Sequence, residues 1–386
     1  MTSTVQVLTS VRQRKNGSKA RFEIESVSIP EPGPQDVLVQ LSVTGVCGTD
    51  IALASGELGP TRRILGHEGV GRVVKLGSGL SESQVKLGQR VGVAWQRDIC
   101  GTCAMCLIEG GETRCLEQLN SGRKIDGTFA EYTIVPYRYL TTLVEGPEDQ
   151  MLAPILCGGV TVYKGLKLCG ATPGQWIAIS GAGGGVGALG IQYSKAMGYR
   201  TIAIDAGQEK EQYCRSLGAE VYIDLTQTAE VASVVREKTS GRGATAVLVT
   251  AGSGKAYQDA LGMLGPFGTL VCIGIPPPSQ LVNFHPLLFI DLGIRIIGSA
   301  VGTRLDIQEA ISFVERGLVK PTVQMTTLDQ LSEVGEQIIQ GKVHPQAPEP
   351  KIKLMGFLGN RKVRNSVQRR CSAFMRSCSR DDDCEI

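Results

Sequence analysis

No apolar run in these 386 residues approaches the roughly 20 that a membrane-crossing helix needs, which argues against a transmembrane protein. A hydrophobic signal segment is also lacking. Arg12, Arg14, Lys15, Lys19 and Arg21 precede the first acid, Glu23, in the manner of a transit peptide, but the stretch alternates like a first β-strand through Val5 and Val7. A cytoplasmic setting is therefore expected. Net charge is only +3, so no electrostatic footprint points to nucleic acid or a membrane surface. Part of that small excess lies in residues 343–386, which hold nine Lys/Arg against five Asp/Glu. No internal repeat of solenoid type is present.

What is abundant is glycine: 49 Gly beside 42% hydrophobic and 20% charged residues describe a globular chain with many tight turns. The length exceeds one ordinary core and predicts two domains. Residues 1 to about 157 read as short β segments and turns, such as 36–43, apolar on alternate positions after the breaker-rich 30–34. Beyond residue 175 the pattern changes. Strands are predicted at Trp176–Ser180, Arg200–Asp205, Val221–Asp224, 246–249 and 269–273, with helices between them running to Met197 and through Leu217. Such alternation builds an α/β fold with a doubly wound parallel sheet. After His344 the chain turns Pro-rich and then basic, so 344–386 is expected to be a disordered tail.

Of the 12 Cys, four crowd into residues 100–115 as Cys100-x2-Cys103-x2-Cys106-x8-Cys115. Four thiolates satisfy the tetrahedral demand of Zn²⁺, with bonds of about 2.3 Å, and short spacers let one loop wrap the ion. A closed four-cysteine site leaves no position for substrate and is structural. Cys47, His67 and Cys157 are far apart, yet each sits in a distinctive segment: Gly-Val-Cys-Gly-Thr-Asp to Asp50, Gly-His-Glu-Gly from Gly66, and Leu-Cys-Gly-Gly-Val-Thr-Val-Tyr-Lys to Lys164. Two thiolates and an imidazole leave a fourth position free, the arrangement of a catalytic zinc.

The run Gly181-Ala-Gly-Gly-Gly-Val-Gly187 follows a strand and opens a helix, as a pyrophosphate-binding turn does. Gly181, Gly184, Gly185 and Gly187 admit the close backbone approach. Asp205 ends the next strand, placed to accept hydrogen bonds from an adenosine ribose and to repel a 2′-phosphate, so NAD is expected over NADP.

These segments together resemble the zinc-dependent alcohol dehydrogenases of the medium-chain dehydrogenase/reductase superfamily, most closely the yeast and fungal type, over residues 1–343. The resemblance implies a GroES-like, mainly β catalytic domain at 1–158, a Rossmann NAD-binding domain at 159–300 and a return to the catalytic domain at 301–343. It implies a catalytic zinc on Cys47, His67 and Cys157, with Glu68 behind the metal and Asp50 orienting His67. With the four-cysteine site this makes two zinc ions per subunit. Thr161 and Val186 would pack against the nicotinamide, and Lys210 would contact the ribose. Thr49 would take the alcohol proton and pass it to the cofactor. The implied reaction interconverts primary or small secondary alcohols and their aldehydes or ketones. A homotetramer is implied by the short connection after Cys115.

Some positions depart from the pattern. Ala52 stands where many relatives carry a relay histidine, and the chain has only His67, His285 and His344. Gly48 replaces a basic residue that contacts the pyrophosphate, and the usual final strand with its arginine is not recognisable after Val343. Two readings stand: NAD binds weakly, or residues 351–355 supply a substitute strand with Lys351 near the phosphates. Trp95 matches a pocket tryptophan, whereas Leu58 replaces a second one and predicts a wider substrate pocket. A polyol or amino-alcohol dehydrogenase is the alternative, against which Cys157 argues, since those relatives often place Glu there. A non-catalytic NAD- and zinc-binding relative is the other.

Overall fold

The computed structural model describes residues 4–11, 21–339 and 352–356. Lys351, His344, and Cys371, Cys378 and Cys384 of the expected tail lie outside the described residues, as do Arg12, Arg14, Lys15 and Lys19.

Residues 176–298 carry a six-stranded parallel sheet in the order Val221–Asp224, Arg200–Asp205, Trp176–Ser180, Ala244–Val249, Leu264–Cys272, Arg295–Gly298. The strands read as continuous apolar runs because both faces are covered. Ile177, Ile179 and Leu248 enter one core with Leu189 and Ile191 of helix Gly185–Ala196 and with Ile307 and Ile311 of helix Arg304–Glu315. Ala178, Ile202, Ile204 and Val247 face the other way, toward Val235, Tyr257 and Leu261. The strand order reverses between Trp176–Ser180 and Ala244–Val249, the crevice where dinucleotides bind in such sheets. The sixth strand, Arg295–Gly298, is half exposed at the sheet edge and lacks the apolar signature by which the others were read.

Most of the other described residues build a mainly antiparallel β domain around Asp36–Gly45, whose burial alternates from Val39 to Val43 and which packs on a core of Val37, Val39, Leu41, Val73 and Val91. This strand pairs with Gly69–Leu76, Tyr132–Pro136 and Ile352–Gly356. The last pairing corrects the reading of 344–386 as disordered throughout. Ile352–Gly356 joins Val43–Gly45 antiparallel and Val323–Thr326 parallel, so its backbone fills an edge that Asp36–Gly45 would otherwise leave open. Main-chain pairing of this kind tolerates many side chains, so no motif announces it. A short helix, Gly48–Ser55, also lies inside the region read as strands and turns. Among the described residues no single helix is long and apolar enough to cross a membrane.

Candidate active site

Asp50 organises the first cluster. It is fully buried in helix Gly48–Ser55; its Oδ2 accepts the Cys47 N–H at 3.1 Å, and its Oδ1 accepts the Gly66 N–H at 3.1 Å. The same Oδ1 lies 2.8 Å from His67 Nδ1. One carboxylate thus fixes the turn that carries Cys47 and the imidazole that faces it. With Nδ1–H held by Asp50, Nε2 presents its lone pair inward, 3.1 Å from Cys157 Sγ, as the second partner of a ligand histidine commonly arranges. Cys47 Sγ lies 3.9 Å from Cys157 Sγ. Cys157 caps helix Gly158–Leu168, where Thr161 donates its hydroxyl to the Cys157 carbonyl at 2.7 Å. Glu68 completes the cluster, all four donors lying within 4.8 Å of one another.

The donor set fits a cation. Glu68 is 3% exposed and its Oε2 is a buried oxygen without a hydrogen-bond partner. Gly45 makes room for that carboxylate, since a Cβ there would collide with it. Burial, and then the Cys47 thiolate, hold the Glu68 carboxyl well above the usual range. The Cys157 hydrogen bond, ahead of the other causes, lowers the Cys47 thiol, and its bond to Cys47 raises Cys157. Burial opposes the charge on His67, but Asp50 and Cys47 together raise its pKa well above the ordinary value. Packed anionic donors of this kind are the setting in which a divalent ion relieves repulsion and unpaired lone pairs together. Trp95 meets the His67 ring edge-on at 5.3 Å, and Leu58 packs on the same cluster as Trp95. Thr49, half-buried, sits on the first turn two residues after Cys47, and Ala52 on the next.

The second cluster is Cys100, Cys103, Cys106 and Cys115. Four of its sulfur pairs lie 3.9, 3.6, 4.0 and 3.6 Å apart. A tetrahedron with bonds of about 2.3 Å has edges of about 3.8 Å, so these spacings suit Zn²⁺. Backbone N–H groups of Thr102 and Cys103 draw the Cys100 thiol down to about 6, whereas burial pushes Cys106 up to about 12. Between Cys106 and Cys115 the chain makes the short turn Gly111–Arg114.

At the sheet crevice, Gly181 has φ +80° and follows strand Trp176–Ser180, and Gly184 caps helix Gly185–Ala196. A Cβ on Gly187 would strike the Gly181 carbonyl, so this turn requires glycine. Asp205 accepts the Gly183 N–H at 2.8 Å and the Ala206 N–H at 2.7 Å, and pairs with Lys210 at 2.6 Å. Gly183 was not singled out in the sequence, although the Lys210 stem lies over it. It lies inside the glycine run, but its particular role shows only in the folded approach of helix Gln208–Leu217. Val186 packs against the core beside Gly158, which brings the glycine turn next to Cys157.

A two-centre β domain joined to a dinucleotide-type sheet is the architecture of a metal-assisted, nucleotide-linked oxidoreductase. Residues 33–145 match a family model described as alcohol dehydrogenase GroES-like domain, and residues 185–316 match one described as zinc-binding dehydrogenase. An alcohol dehydrogenase of Moraxella sp. is 41% identical over 83% of this chain and 94% of that protein. Alcohol dehydrogenase 2 of Emericella nidulans is 40% identical over 85% and 93%. The chain belongs to the zinc-dependent alcohol dehydrogenases of the medium-chain dehydrogenase/reductase superfamily. Among solved structures, the alcohol dehydrogenase of Aeropyrum pernix superposes with a TM-score of 0.79 at 26% identity, over 91% of this chain and 100% of that one. Acetophenone reductase from Geotrichum candidum, solved with NAD, gives 0.77 at 25% identity, over 92% and 98%.

Proposed function

We propose that this chain oxidises primary or small secondary alcohols with NAD, and runs the reverse reduction, at the Cys47–His67–Cys157 centre. The observation that carries the reading is the convergence of these three donors beside the glycine turn, with Val186 adjoining Gly158. Zinc held by these residues supplies Lewis acidity toward an alcohol oxygen, and NAD in the crevice supplies the hydride acceptor. Asp50 holds the His67 tautomer that keeps Nε2 free for the metal. Glu68 lies behind the centre, its partnerless oxygen able to approach the ion. Thr49 offers its hydroxyl to the alcohol proton, while Asp205 and Lys210 hold the adenosine ribose. Thr161 and Val186 press the nicotinamide toward the substrate, and Trp95 and Leu58 border the pocket. The four-cysteine loop holds a second, structural zinc.

In this reading 1–158 and 301–343 form the catalytic domain and 159–300 the coenzyme domain, with Ile352–Gly356 added to the former. Nine free thiols among the described residues, six of them in the two candidate zinc centres and the other three at Cys169, Cys214 and Cys272, suit a reducing cytoplasm. Assembly into a homotetramer is supported by the exposed Phe267, Leu281, Phe284, Leu287 and Ile290 near the sheet edge at Arg295–Gly298. Light scattering of the purified protein checks that assembly. The functional test is zinc per chain after a chelator wash, followed by NADH formation across an alcohol panel. Two zinc ions with turnover are expected. One zinc, lost on Cys103→Ser, with no turnover would mean a non-catalytic NAD-binding protein.

A further inference from the structure

The turn Gly111–Arg114, between Cys106 and Cys115, reaches far from its own loop. From outside its loop Glu112 accepts four hydrogen bonds: from Arg304 Nη2 to Oε1 at 2.9 Å, from the Arg304 N–H and the Tyr139 hydroxyl to Oε2 at 3.5 and 3.1 Å, and from Gln96 Nε2 to its carbonyl at 2.6 Å. The Arg304 guanidinium also lies 4.4 Å over the Tyr139 ring and donates to the Arg138 carbonyl at 2.7 Å. Arg114 donates to the Gly298 carbonyl at 3.3 Å, and the buried Lys164 donates to Thr113 Oγ1 at 3.2 Å.

Three of these partners, Lys164, Gly298 and Arg304, fall on the two places where the chain passes between domains. Helix Gly158–Leu168, which carries Lys164, leads into the coenzyme sheet. Residues 298–304 lead back, from the end of the last parallel strand to the start of helix Arg304–Glu315. The return crossing includes Val301 at φ +39°, a β-branched residue in the left-handed region that its surroundings must hold. Beside it a cavity of about 10 Å³, room for one water, is lined by Gln96, Arg304, Trp95 and Leu156. Trp95 touches His67, and Leu156 precedes Cys157. The turn therefore grips both crossings at a point adjoining the Cys47–His67–Cys157 centre.

We propose that Gly111–Arg114 is a clasp on the interdomain crossings, with Glu112 and Arg304 as positioning residues through which the loaded four-cysteine loop sets NAD affinity. The inference rests on the NAD-linked reading of the site above. Its test compares the parent with Arg304→Met, Glu112→Gln and the swapped pair Glu112→Arg with Arg304→Glu. NAD dissociation by calorimetry, the KM and kcat split, zinc content and hydrogen exchange across 298–304 are measured on the full chain. Each single variant should weaken NAD binding about five- to twentyfold with kcat within about twofold, since coupling between sites is commonly of this size. Both zinc ions should remain, exchange across 298–304 should quicken, and the swapped pair should recover part of the affinity, the Arg304 contacts with Arg138 and Tyr139 being lost. Cys103→Ser should weaken NAD binding in the parent yet add nothing in Arg304→Met. Unchanged NAD affinity in both single variants, or a Cys103→Ser effect that adds in full, overturns the clasp. Should Cys103→Ser fail to fold, unchanged exchange across 298–304 in the other two variants overturns it. Failure of the enzymatic reading looks different: the parent then oxidises no alcohol, while the exchange comparison still decides the clasp.

Discussion

The two cysteine centres are built from the same ligand chemistry by opposite routes. Cys100, Cys103, Cys106 and Cys115 come from one loop of 16 residues, whose neighbours Leu107, Ile108 and Leu116 are 75%, 56% and 80% exposed. Cys47, His67 and Cys157 come from three distant segments, and His67 and Asp50 are wholly buried. The loop has only a small core, Cys115 with Ile99 and Tyr139, so a bound cation would add much of its stability. The other centre is shaped by the fold before any ion arrives, with Asp50 tying two of its segments together. Local coordination stabilises; coordination assembled by topology leaves a face free for chemistry.

The comparison is broken most severely at the assembled centre. Cys47→Ala should abolish alcohol oxidation, by roughly 10³-fold or more, because several kcal/mol of charge stabilisation is lost. Zinc analysis should find one ion per chain and circular dichroism an unchanged fold. Were the variant to unfold instead, the contrast between a preformed and an ion-dependent centre would be wrong. Cys103→Ser is the converse experiment. Zinc should again fall to one per chain, but the new feature should be rapid proteolysis within 100–115, where few apolar contacts resist local opening. A kcat near the parent's is expected, so a kcat loss as large as that of Cys47→Ala would erase the distinction.

Asp50→Asn sharpens the comparison at an intermediate size. The amide oxygen can keep the His67 Nδ1–H and the Gly66 N–H that share Oδ1, but an amide NH2 in place of Oδ2 meets the Cys47 N–H donor to donor, and the carboxylate charge behind His67 is gone. A loss of about 10- to 100-fold in zinc affinity or activity follows, the usual cost of removing a carboxylate behind a histidine ligand. Zinc should leave the assembled centre under mild chelation while the four-cysteine loop keeps its own.

The same contrast explains what was legible in the amino-acid order. The four-cysteine loop could be read from spacing alone, because all its ligands are local. The strands Trp176–Ser180 and Arg200–Asp205 matched their expected bounds because burial on both faces makes them plain apolar runs between helices, and the half-buried edge strand Val221–Asp224 matched its bounds as well. Cys47, His67 and Cys157 needed their surrounding segments and a family likeness, since no spacing rule links them. Gly45 gave no signal, and Gly183 only that of its glycine run, as the importance of each is the side chain that arrives from elsewhere. Neither did Glu112 and Arg304, an ordinary pair of charges until the fold sets them 2.9 Å apart. The strand at Ile352–Gly356 was half legible: its backbone pairing is present, and Lys351, proposed to face the phosphates, lies outside the described residues.

The smallest expected effect concerns the helix that begins at the end of the return crossing. Asp306 caps helix Arg304–Glu315 by accepting the Thr303 N–H and hydroxyl at 2.9 Å each, and it pairs with Lys167 at 3.2 Å. Burial raises its pKa, but these partners outweigh burial and leave it below the ordinary carboxylate value. A carboxylate whose folded pKa is depressed stabilises the fold above its unfolded pKa of about 3.9, and that gain disappears as pH falls through the folded value. Asp306→Asn should thus lower the melting temperature by a few degrees, about 1 kcal/mol for a lost cap, at neutral pH. The gap between variant and parent should narrow as the pH drops below about 4. A gap that stayed constant into acid would mean that Asp306 acts through packing, and that its charge has no part in anchoring the return crossing.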